Sequence, residues 1–252
     1  MSEGVSCLCL TYGRPALLEE AIESFNRQRW EGPKELVVLN DHPEQQLLYE
    51  HDEVRIVNLG ARLPSLGGKR NLAVTFAAYE HILVWDDDDI HLPWRIEESM
   101  KVLPRQSYFK CPEVWLMGGD ELQGNVYDGD LFFHAACAYT KRLFEQVGGY
   151  GWYNAGEDQD FENRLRSNER LSECCRVTRL PIERLYYIRR WGHGYYHASG
   201  CINLNELNPA VERGTYRLRP HWKIDYCTKV EQQIQRRYGR QDRATPHKQA
   251  NS

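Results

Sequence analysis

The sequence has no hydrophobic run long enough to cross a membrane. Its apolar stretches without a charged side chain, residues 5–13 and 131–140, are far shorter than the about 20 apolar residues that a spanning helix requires. No basic residue precedes the first apolar run and no small-residue cleavage site follows it, so we expect no secretory signal. These absences predict a cytoplasmic protein.

The eight cysteines contain no C-x-x-C pair, which argues against a structural zinc site. Cys7 and Cys9 lie within an apolar segment, where we expect small buried thiols. The formal net charge is −4, so the chain as a whole lacks the basic excess of a nucleic-acid-binding protein. Hydrophobic residues make up 41% of the chain, which is enough for a folded core and excludes a disordered or fibrous protein.

Apolar segments with the spacing of strands alternate with segments of helical spacing. The pattern predicts strands over residues 5–10, 35–39, 54–59, 81–85, 114–118 and 131–139. It predicts helices that begin near residue 15 and over residues 69–79, 93–103, 141–147 and 157–166. Such alternation is typical of an α/β sheet, in which ligands bind at the carboxyl ends of the strands.

The composition changes near residue 223. We expect residues 1–222 to form one domain, and residues 223–252 to form a C-terminal helix followed by a basic, flexible tail. Arginines of this tail could contact phosphates of nucleic acid or lipid, or could simply be the solvated end of a helix.

Four consecutive aspartates, residues 86–89, follow a predicted buried strand. Four adjacent carboxylates repel one another, and a divalent cation such as Mn²⁺ or Mg²⁺ would offset that repulsion because these ions prefer oxygen ligands. An acidic surface turn is the alternative, but the end of a buried strand favours a ligand site.

A second acidic group, Glu157 and Asp158, begins a predicted helix. Acidic residues in a first turn are stabilised by the helix dipole, so capping is one explanation. The other is a carboxylate that accepts a proton from a hydroxyl nucleophile.

Two glycines precede Lys69 and Arg70 at the start of another predicted helix. Two cations beside a helix N-terminus suit a phosphate group, although an ordinary solvated helix start explains them equally well. The spacing is not that of a Walker A loop.

A late segment, residues 189–197, is rich in arginine, tryptophan and tyrosine and contains His193 and His197. Either histidine could be a metal ligand or a surface residue.

The order of these motifs resembles the family 2 glycosyltransferases with the GT-A fold. The resemblance covers residues 4–200 and is most specific at residues 66–71 (LGGKRN), 84–89 (VWDDDD) and 147–161, which contain VGGY and GEDQDF. It implies a single Rossmann-like domain with a mixed central sheet flanked by helices. It also implies metal-dependent, inverting transfer of a sugar from a nucleoside diphosphate sugar, with a UDP-sugar preferred, to an acceptor hydroxyl.

The resemblance also implies roles for individual residues. Contacts with the nucleotide sugar fall to Thr11, Tyr12, Arg14, Asp41, Lys69, Arg70, Asp86 and Asp87. Asp86 would touch the ribose and Asp88 would hold Mn²⁺ or Mg²⁺, with His193 or His197 completing the metal shell. Asp158 would be the general base beside Glu157. Asp120, Glu121 and Trp152 are candidates for the sugar or acceptor pocket.

Two further expectations concern the acidic groups. We expect residues 86–89 and Asp158 to face one shared cleft. We also expect neighbouring carboxylates to raise the pKa of Asp158.

Other functions remain open from the residues alone. A phosphotransferase with an aspartate nucleophile, a nucleotidyltransferase and a non-catalytic nucleotide-sugar-binding module are the alternatives. The acceptor could be a glycan, a lipid-linked sugar, a protein or a modified nucleic-acid base, and the oligomeric state is open.

Overall fold

The first apolar segment forms an interior strand of the largest sheet in the computed structural model, which describes residues 3–127, 133–173, 175–191 and 211–237. The strands are β1 (Val5–Thr11), β2 (Lys34–Asn40), β3 (Gln45–Leu48), β4 (Val54–Asn58), β5 (His81–Asp86), β6 (Ile90–His91), β7 (Tyr108–Lys110), β8 (Glu113–Gly118), β9 (Glu121–Tyr127), β10 (Cys137–Thr140), β11 (Cys175–Val177), β12 (Tyr187–Trp191) and β13 (Gly214–Arg217).

The helices lie between and beside these strands. They are α1 (Pro15–Asn26), α2 (Leu66–Phe76), α3 (Arg95–Met100), α4 (Lys141–Val147), α5 (Glu157–Ser167), α6 (Glu169–Ser172) and α7 (Tyr226–Arg237), with 3₁₀ turns at His134–Ala136 and Ile182–Arg184. No helix in the described ranges is long and apolar enough to cross a membrane.

Seven strands form the central sheet in the order β11-β7-β10-β5-β1-β2-β4. The neighbours β5, β1, β2 and β4 are parallel, whereas β10 runs antiparallel to both β5 and β7. The sheet is therefore mixed, as predicted. A second sheet, β6-β12-β8-β9, and the pair β13-β3 lie beside it.

Apolar side chains cover both faces of the central sheet. Alternate residues of β1 point to opposite faces, so Cys7 and Cys9 join one buried cluster and Leu8 and Leu10 join the other. Helix α1 packs on the first face, while α2 packs on the second. These layers give the α/β architecture with helices on both faces.

Local chemistry explains where the observed elements differ from the predicted ones. Helix α2 begins at Leu66, before the predicted residue 69, because the Oγ atom of Ser65 accepts a hydrogen bond from Gly68 N at 3.1 Å and caps it. The strand predicted over 131–139 is wrong at His134–Ala136, which form a 3₁₀ turn, and β10 begins only at Cys137. Gly148, with φ 84°, ends α4 as predicted.

The C-terminal helix α7 packs against the same core as α1. Tyr226 and Val230 are buried there, together with Leu218 from the preceding segment. Residues 223–237 thus pack onto the predicted first domain. The predicted basic tail, from residue 238 onward, lies outside the described residues.

Candidate active site

The ends of three parallel strands bring the predicted site residues to one edge of the central sheet. Strand β1 pairs in parallel with β2 on one side and with β5 on the other. Tyr12 follows β1, Asp41 follows β2, and Asp87 follows β5 directly. This shared edge is where open α/β sheets bind ligands.

Lys69 joins the ends of β1 and β2. Its Nζ atom lies 2.6 Å from Thr11 O and 2.5 Å from Asp41 Oδ1, and the residue is 1% exposed. Burial lowers the pKa of Lys69, and Asp41 opposes that shift. The second oxygen of Asp41 accepts a hydrogen bond from Leu63 N at 3.0 Å. Lys69 therefore fixes Asp41 and anchors the first turn of α2 to the sheet.

Tyr12 contacts a histidine ring and an arginine guanidinium at the same edge. Its ring centroid is 4.6 Å from that of His42, and the guanidinium of Arg62 lies 4.5 Å from the Tyr12 ring. An aromatic ring held this way offers a flat surface suited to stacking against a planar group.

The four aspartates form a buried acidic turn, and we use this name for residues 86–89. Arg14, just before α1, donates to Asp88 Oδ2 at 3.0 Å and pairs with Asp87. Burial raises the pKa of Asp87 to about 6 despite Arg14. One guanidinium thus partly compensates the charge of this turn.

Asp89 is held by the second sheet. The hydroxyl of Tyr187 and the backbone N of Arg190 donate to its two carboxylate oxygens, the latter at 3.0 Å. Burial, together with the charge of Asp88, raises the pKa of Asp89 to about 7. Asp89 is therefore an anchor of the acidic turn.

The acidic turn fits a divalent cation. Asp86, Asp88 and Asp89 each place one carboxylate oxygen within 4.8 Å of the others. Hard oxygen donors suit Mg²⁺ or Mn²⁺, and a dication would offset the repulsion that contributes to the raised pKa of Asp89. Because both oxygens of Asp89 already accept hydrogen bonds, Asp86 and Asp88 are the better candidates for ligands.

Helix α5 carries the second acidic group. Gly156 precedes it with φ 77°, a left-handed conformation that glycine adopts readily. Glu157 is buried and Asp158 is partly exposed in the first turn. The Oδ1 atom of Asp158 accepts from Gln159 N at 2.8 Å.

Arg70 lies between the two acidic groups. Its Nε atom donates to Glu157 Oε1 at 3.0 Å, and its Nη1 atom is 3.8 Å from Asp86 Oδ1. The acidic turn and the start of α5 therefore flank a single guanidinium, which lies in the first turn of α2.

The pKa expected for Asp158 is wrong in direction. Burial works to raise it, but the positive charges of His134 and Arg70, together with the hydrogen bond from Gln159 N, lower the pKa of Asp158 below its ordinary value. The expectation considered neighbouring carboxylates alone and missed these two cations.

A buried polar network lies on the inner side of α5. Glu162 accepts hydrogen bonds from Lys110 Nζ at 2.9 and 3.1 Å, and its Oε1 atom is 2.8 Å from His134 Nδ1. The Nε2 atom of His134 lies 2.7 Å from the hydroxyl of Tyr150. Burial opposes protonation of His134, yet Cys137 and Glu162 raise its pKa above the ordinary value. His134, Cys137 and Glu162 each place one potential metal-ligating atom within 4.8 Å of the others. Lys110 already neutralises the charge of Glu162, however, so this group is less suited to a cation than the acidic turn.

Two exposed aromatic rings precede α5. Trp152 is 70% exposed and Tyr153 is 52% exposed. Their loop is tied to α2 because Tyr153 O accepts from Gly67 N at 3.0 Å. A Cβ atom on Gly67 would lie 1.7 Å from the backbone O of Gly151, so only glycine allows this close packing. The rings thus lie on a rigid base beside the predicted catalytic helix.

The remaining predicted residues are Asp120, Glu121, His193 and His197. Asp120 and Glu121 are exposed at the turn between β8 and β9, where Gly118 pairs with the last residue of β12. His193 and His197 lie outside the described residues. The structure thus brings the residues predicted from the first 90 positions together with those of α5.

Several residues of the site have no sequence signal. Glu20, Lys110, His134, Glu162 and Tyr187 reach it only through contacts between distant parts of the chain. The sequence pattern that could have indicated them is a charged residue within an apolar stretch, because a buried charge requires a partner.

Residues 6–125 match the family model described as Glycosyl transferase family 2. The chain is 32% identical over 146 residues to YwdF, an uncharacterized glycosyltransferase of Bacillus subtilis, a match that covers 56% of this chain and 53% of that protein. It is 30% identical over 129 residues to an uncharacterized glycosyltransferase of Methanocaldococcus jannaschii, covering 48% of this chain and 44% of that protein. The chain thus spans about half the length of the curated relatives that it matches.

Solved structures share the fold at low sequence identity. S. aureus TarS 1-349 in complex with UDP-GlcNAc has a TM-score of 0.57 and 15% identity, covering 82% of this chain and 64% of that one. The mannosyltransferase PcManGT from Pyrobaculum calidifontis, in complex with GDP-Man and Mn²⁺, has a TM-score of 0.53 and 16% identity, covering 77% and 59%. These similarities confirm the predicted GT-A fold.

Proposed function

We propose that this chain is a family 2 glycosyltransferase and that it transfers a sugar from a UDP-sugar to an acceptor hydroxyl with inversion of the anomeric carbon, which the match of residues 6–125 and the shared GT-A fold support. The observation that carries the proposal is the position of Arg70, 3.0 Å from Glu157 and 3.8 Å from Asp86. It supports a single cleft with a donor side and an acceptor side.

The donor side is formed by the ends of β1, β2 and β5. Tyr12 would stack with the base, and Asp41, oriented by Lys69, would accept a hydrogen bond from it. Arg70 would lie beside the diphosphate, where a guanidinium can donate two hydrogen bonds to an anion. TarS in complex with UDP-GlcNAc supports a uridine nucleotide, whereas the GDP-Man complex of PcManGT makes guanosine the alternative to test.

Asp88, with Asp86, would hold Mn²⁺ or Mg²⁺, and His193 or His197 would complete the metal shell. When bound, the cation supplies positive charge that stabilises a diphosphate leaving group. Arg14 holds one oxygen of Asp88 and so fixes the orientation of the carboxylate.

Asp158 would accept the proton of the acceptor hydroxyl. Its lowered pKa keeps it ionised at neutral pH, the form that a general base requires. Glu157, paired with Arg70, would keep the start of α5 in register with the donor side. Attack on the face opposite the leaving diphosphate inverts the anomeric carbon in one displacement.

The acceptor side would include Trp152, with Asp120 and Glu121 as more distant candidates. The exposed rings before α5 are suited to contact the apolar face of a sugar or another flat group that carries the hydroxyl. The acceptor class remains open among a glycan, a lipid-linked sugar, a protein and a modified nucleic-acid base.

A screen of sugar nucleotides in the presence of Mn²⁺ tests the proposal by measuring the release of free nucleoside diphosphate. UDP-GlcNAc, UDP-glucose and GDP-mannose are suitable donors, each with and without a set of simple glycosides as acceptors. We expect release with a UDP-sugar, and none from Asp158→Asn, which should still bind UDP in calorimetry.

Two outcomes of the screen would contradict the proposal. Binding of UDP without release from any donor would favour a non-catalytic binding module. Near-normal release by Asp158→Asn would remove the assigned general base.

A further inference from the structure

Glu20 is a buried carboxylate in the middle of α1. It is 1% exposed, and donors from two distant segments surround it. Arg190 Nη1 lies 2.5 Å from its Oε2 atom, while the hydroxyl of Tyr226 donates to Oε1 at 2.7 Å and Lys223 N donates at 3.1 Å. Burial works against ionisation of Glu20, but Arg190, Tyr226 and Lys223 lower its pKa. Glu20 therefore joins Arg190 to residues 219–226, which we call the C-terminal segment.

Arg190 continues the connection into the acidic turn. Its Nε atom donates to the backbone O of Asp88, and its backbone N donates to Asp89 Oδ1 at 3.0 Å. The residue is 4% exposed, and Glu20 pairs with its buried charge. Asp88 is consequently held at two points, its carboxylate by Arg14 and its backbone by Arg190.

The C-terminal segment is also fixed to α1 beside Glu20. Trp222 Nε1 donates to Ser24 Oγ at 3.0 Å, and Arg27 lies 4.4 Å from the Trp222 ring. Arg219 N donates to Glu19 Oε1 at 2.7 Å. These contacts fix the segment on the same helix whose N-terminal flank carries Arg14.

We infer that Glu20 and Arg190 are positioning residues for the acidic turn, and that residues 223–226 belong to this support and so set the affinity for the divalent cation. The inference depends on the proposed function, because it assigns the cation to Asp88. A ligand that must be held within a fraction of an ångström loses affinity when its backbone is released.

The test measures the Mn²⁺ concentration needed for half-maximal affinity of UDP in calorimetry, with GDP in parallel. Glu20→Gln keeps the size of the side chain but removes the charge that pairs with Arg190. We expect the required Mn²⁺ concentration to rise about tenfold, since loss of a metal's outer-shell support typically costs about 10- to 100-fold in affinity. Saturating Mn²⁺ should restore UDP binding to within about twofold.

Glu23→Gln is the matched control on the same helix. Glu23 pairs with Arg27 at 2.6 Å at the surface, and we expect it to leave the Mn²⁺ requirement unchanged. Tyr226→Phe removes the hydroxyl that donates to Glu20 but leaves the hydrogen bond from Lys223 N, and it should raise the Mn²⁺ requirement by a smaller factor. Thermal unfolding of each variant separates loss of fold from loss of positioning.

The outcomes distinguish this inference from the proposed function. If Glu20→Gln and Tyr226→Phe both fold and match Glu23→Gln in their Mn²⁺ requirement, the inference is wrong. If Glu20→Gln fails to fold, Tyr226→Phe alone decides it by the same measure. If Asp88→Asn leaves the Mn²⁺ dependence intact, the assigned metal site itself is wrong, whatever Glu20 does.

Discussion

Arg70 Nε donates a hydrogen bond to Glu157 Oε1 at 3.0 Å, joining the first turn of α2 to the first turn of α5. The same guanidinium lies 3.8 Å from Asp86. Arg70 therefore contacts carboxylates of both acidic groups, which are far apart in the sequence but close together in the fold. Without this charge, Asp86, Glu157 and Asp158 would repel one another in a partly buried site.

The first prediction concerns this shared cation. Arg70→Gln should lower kcat/KM for nucleoside diphosphate release by about 10- to 100-fold, because hydrogen bonds to charged groups contribute about 1.5–3 kcal/mol. Arg70→Lys should recover little, since a lysine ammonium does not reproduce the planar fork of the guanidinium. Steady-state kinetics with the best UDP-sugar would measure both. Arg105→Gln, at an exposed position, is the control that should behave as wild type. Equal rates for Arg70→Gln and Arg105→Gln would refute the role of Arg70.

The second prediction concerns pH. His134 and Arg70 lower the pKa of Asp158, so the rate should fall only at strongly acidic pH on the acid side of its profile. His134→Gln removes one positive charge near the carboxylate, which makes ionisation less favourable and moves that acid limb to higher pH. A kcat/KM profile from pH 3 to pH 8 would measure the shift, with His51→Gln as a control at an exposed position. An unmoved limb in a folded His134→Gln variant would contradict the electrostatic assignment.

Residues whose role depends on local pattern were predictable from the sequence. The apolar runs before Thr11 and Asp86 identify buried strands, and parallel strands bring their carboxyl ends to one edge. The glycines before Lys69 and the acidic start of α5 are likewise local signals. These patterns were sufficient to predict an α/β sheet and the positions at which Asp41, Asp86 and Asp158 occur, whereas the mixed sheet was implied by the resemblance to family 2 glycosyltransferases.

Long-range pairings were not predictable in the same way. Strand β12 pairs with β6 and β8, which lie far from it in the sequence. Arg190 pairs with Glu20, 170 positions earlier, and no spacing in the sequence indicates this pair. Strands β3 and β13 also pair across distant segments. Lys69 also could not be assigned from the sequence alone. Its positive charge predicted a contact with a phosphate group, whereas its ammonium contacts Asp41. A pattern identifies a charged residue, but only tertiary contacts decide what that charge neutralises.

The third prediction concerns the exposed rings. Trp152→Ala should raise KM for a glycoside acceptor or abolish transfer to it, while slow release of UDP by transfer to water stays within about twofold of wild type. Trp152→Phe should retain part of the acceptor affinity because it keeps a flat apolar ring, whose stacking contributes about 0.5–1.5 kcal/mol. Comparing UDP release with and without acceptor measures both reactions. Tyr127→Ala, an exposed aromatic on β9, is the control. Loss of transfer to water as well would place Trp152 on the donor side.

The fourth prediction concerns the buried pair beneath α5. Glu162→Gln should lower the free energy of unfolding by about 3–5 kcal/mol at pH 7, because it leaves Lys110 and His134 as buried charges without a counter-charge. Asp160→Asn, in the more exposed pair with Arg164 on the same helix, should cost only about 0–1 kcal/mol. Urea unfolding of the two variants beside wild type would measure the difference. Similar midpoints would mean that the buried pair adds no net stability.

The pH dependence of that difference gives a second check on Glu162. Burial opposes its ionisation, but His134 and Lys110 lower its pKa below 4.5 in the folded protein. A group whose pKa is lower in the folded state stabilises the fold above its unfolded pKa, about 4.3 for glutamate, and loses that contribution as pH falls through the folded value. The stability gap between wild type and Glu162→Gln should therefore be full at pH 7 and narrow progressively below about pH 4. A gap that stays constant down to acid unfolding would mean that the carboxylate contributes through its shape and hydrogen bonds alone.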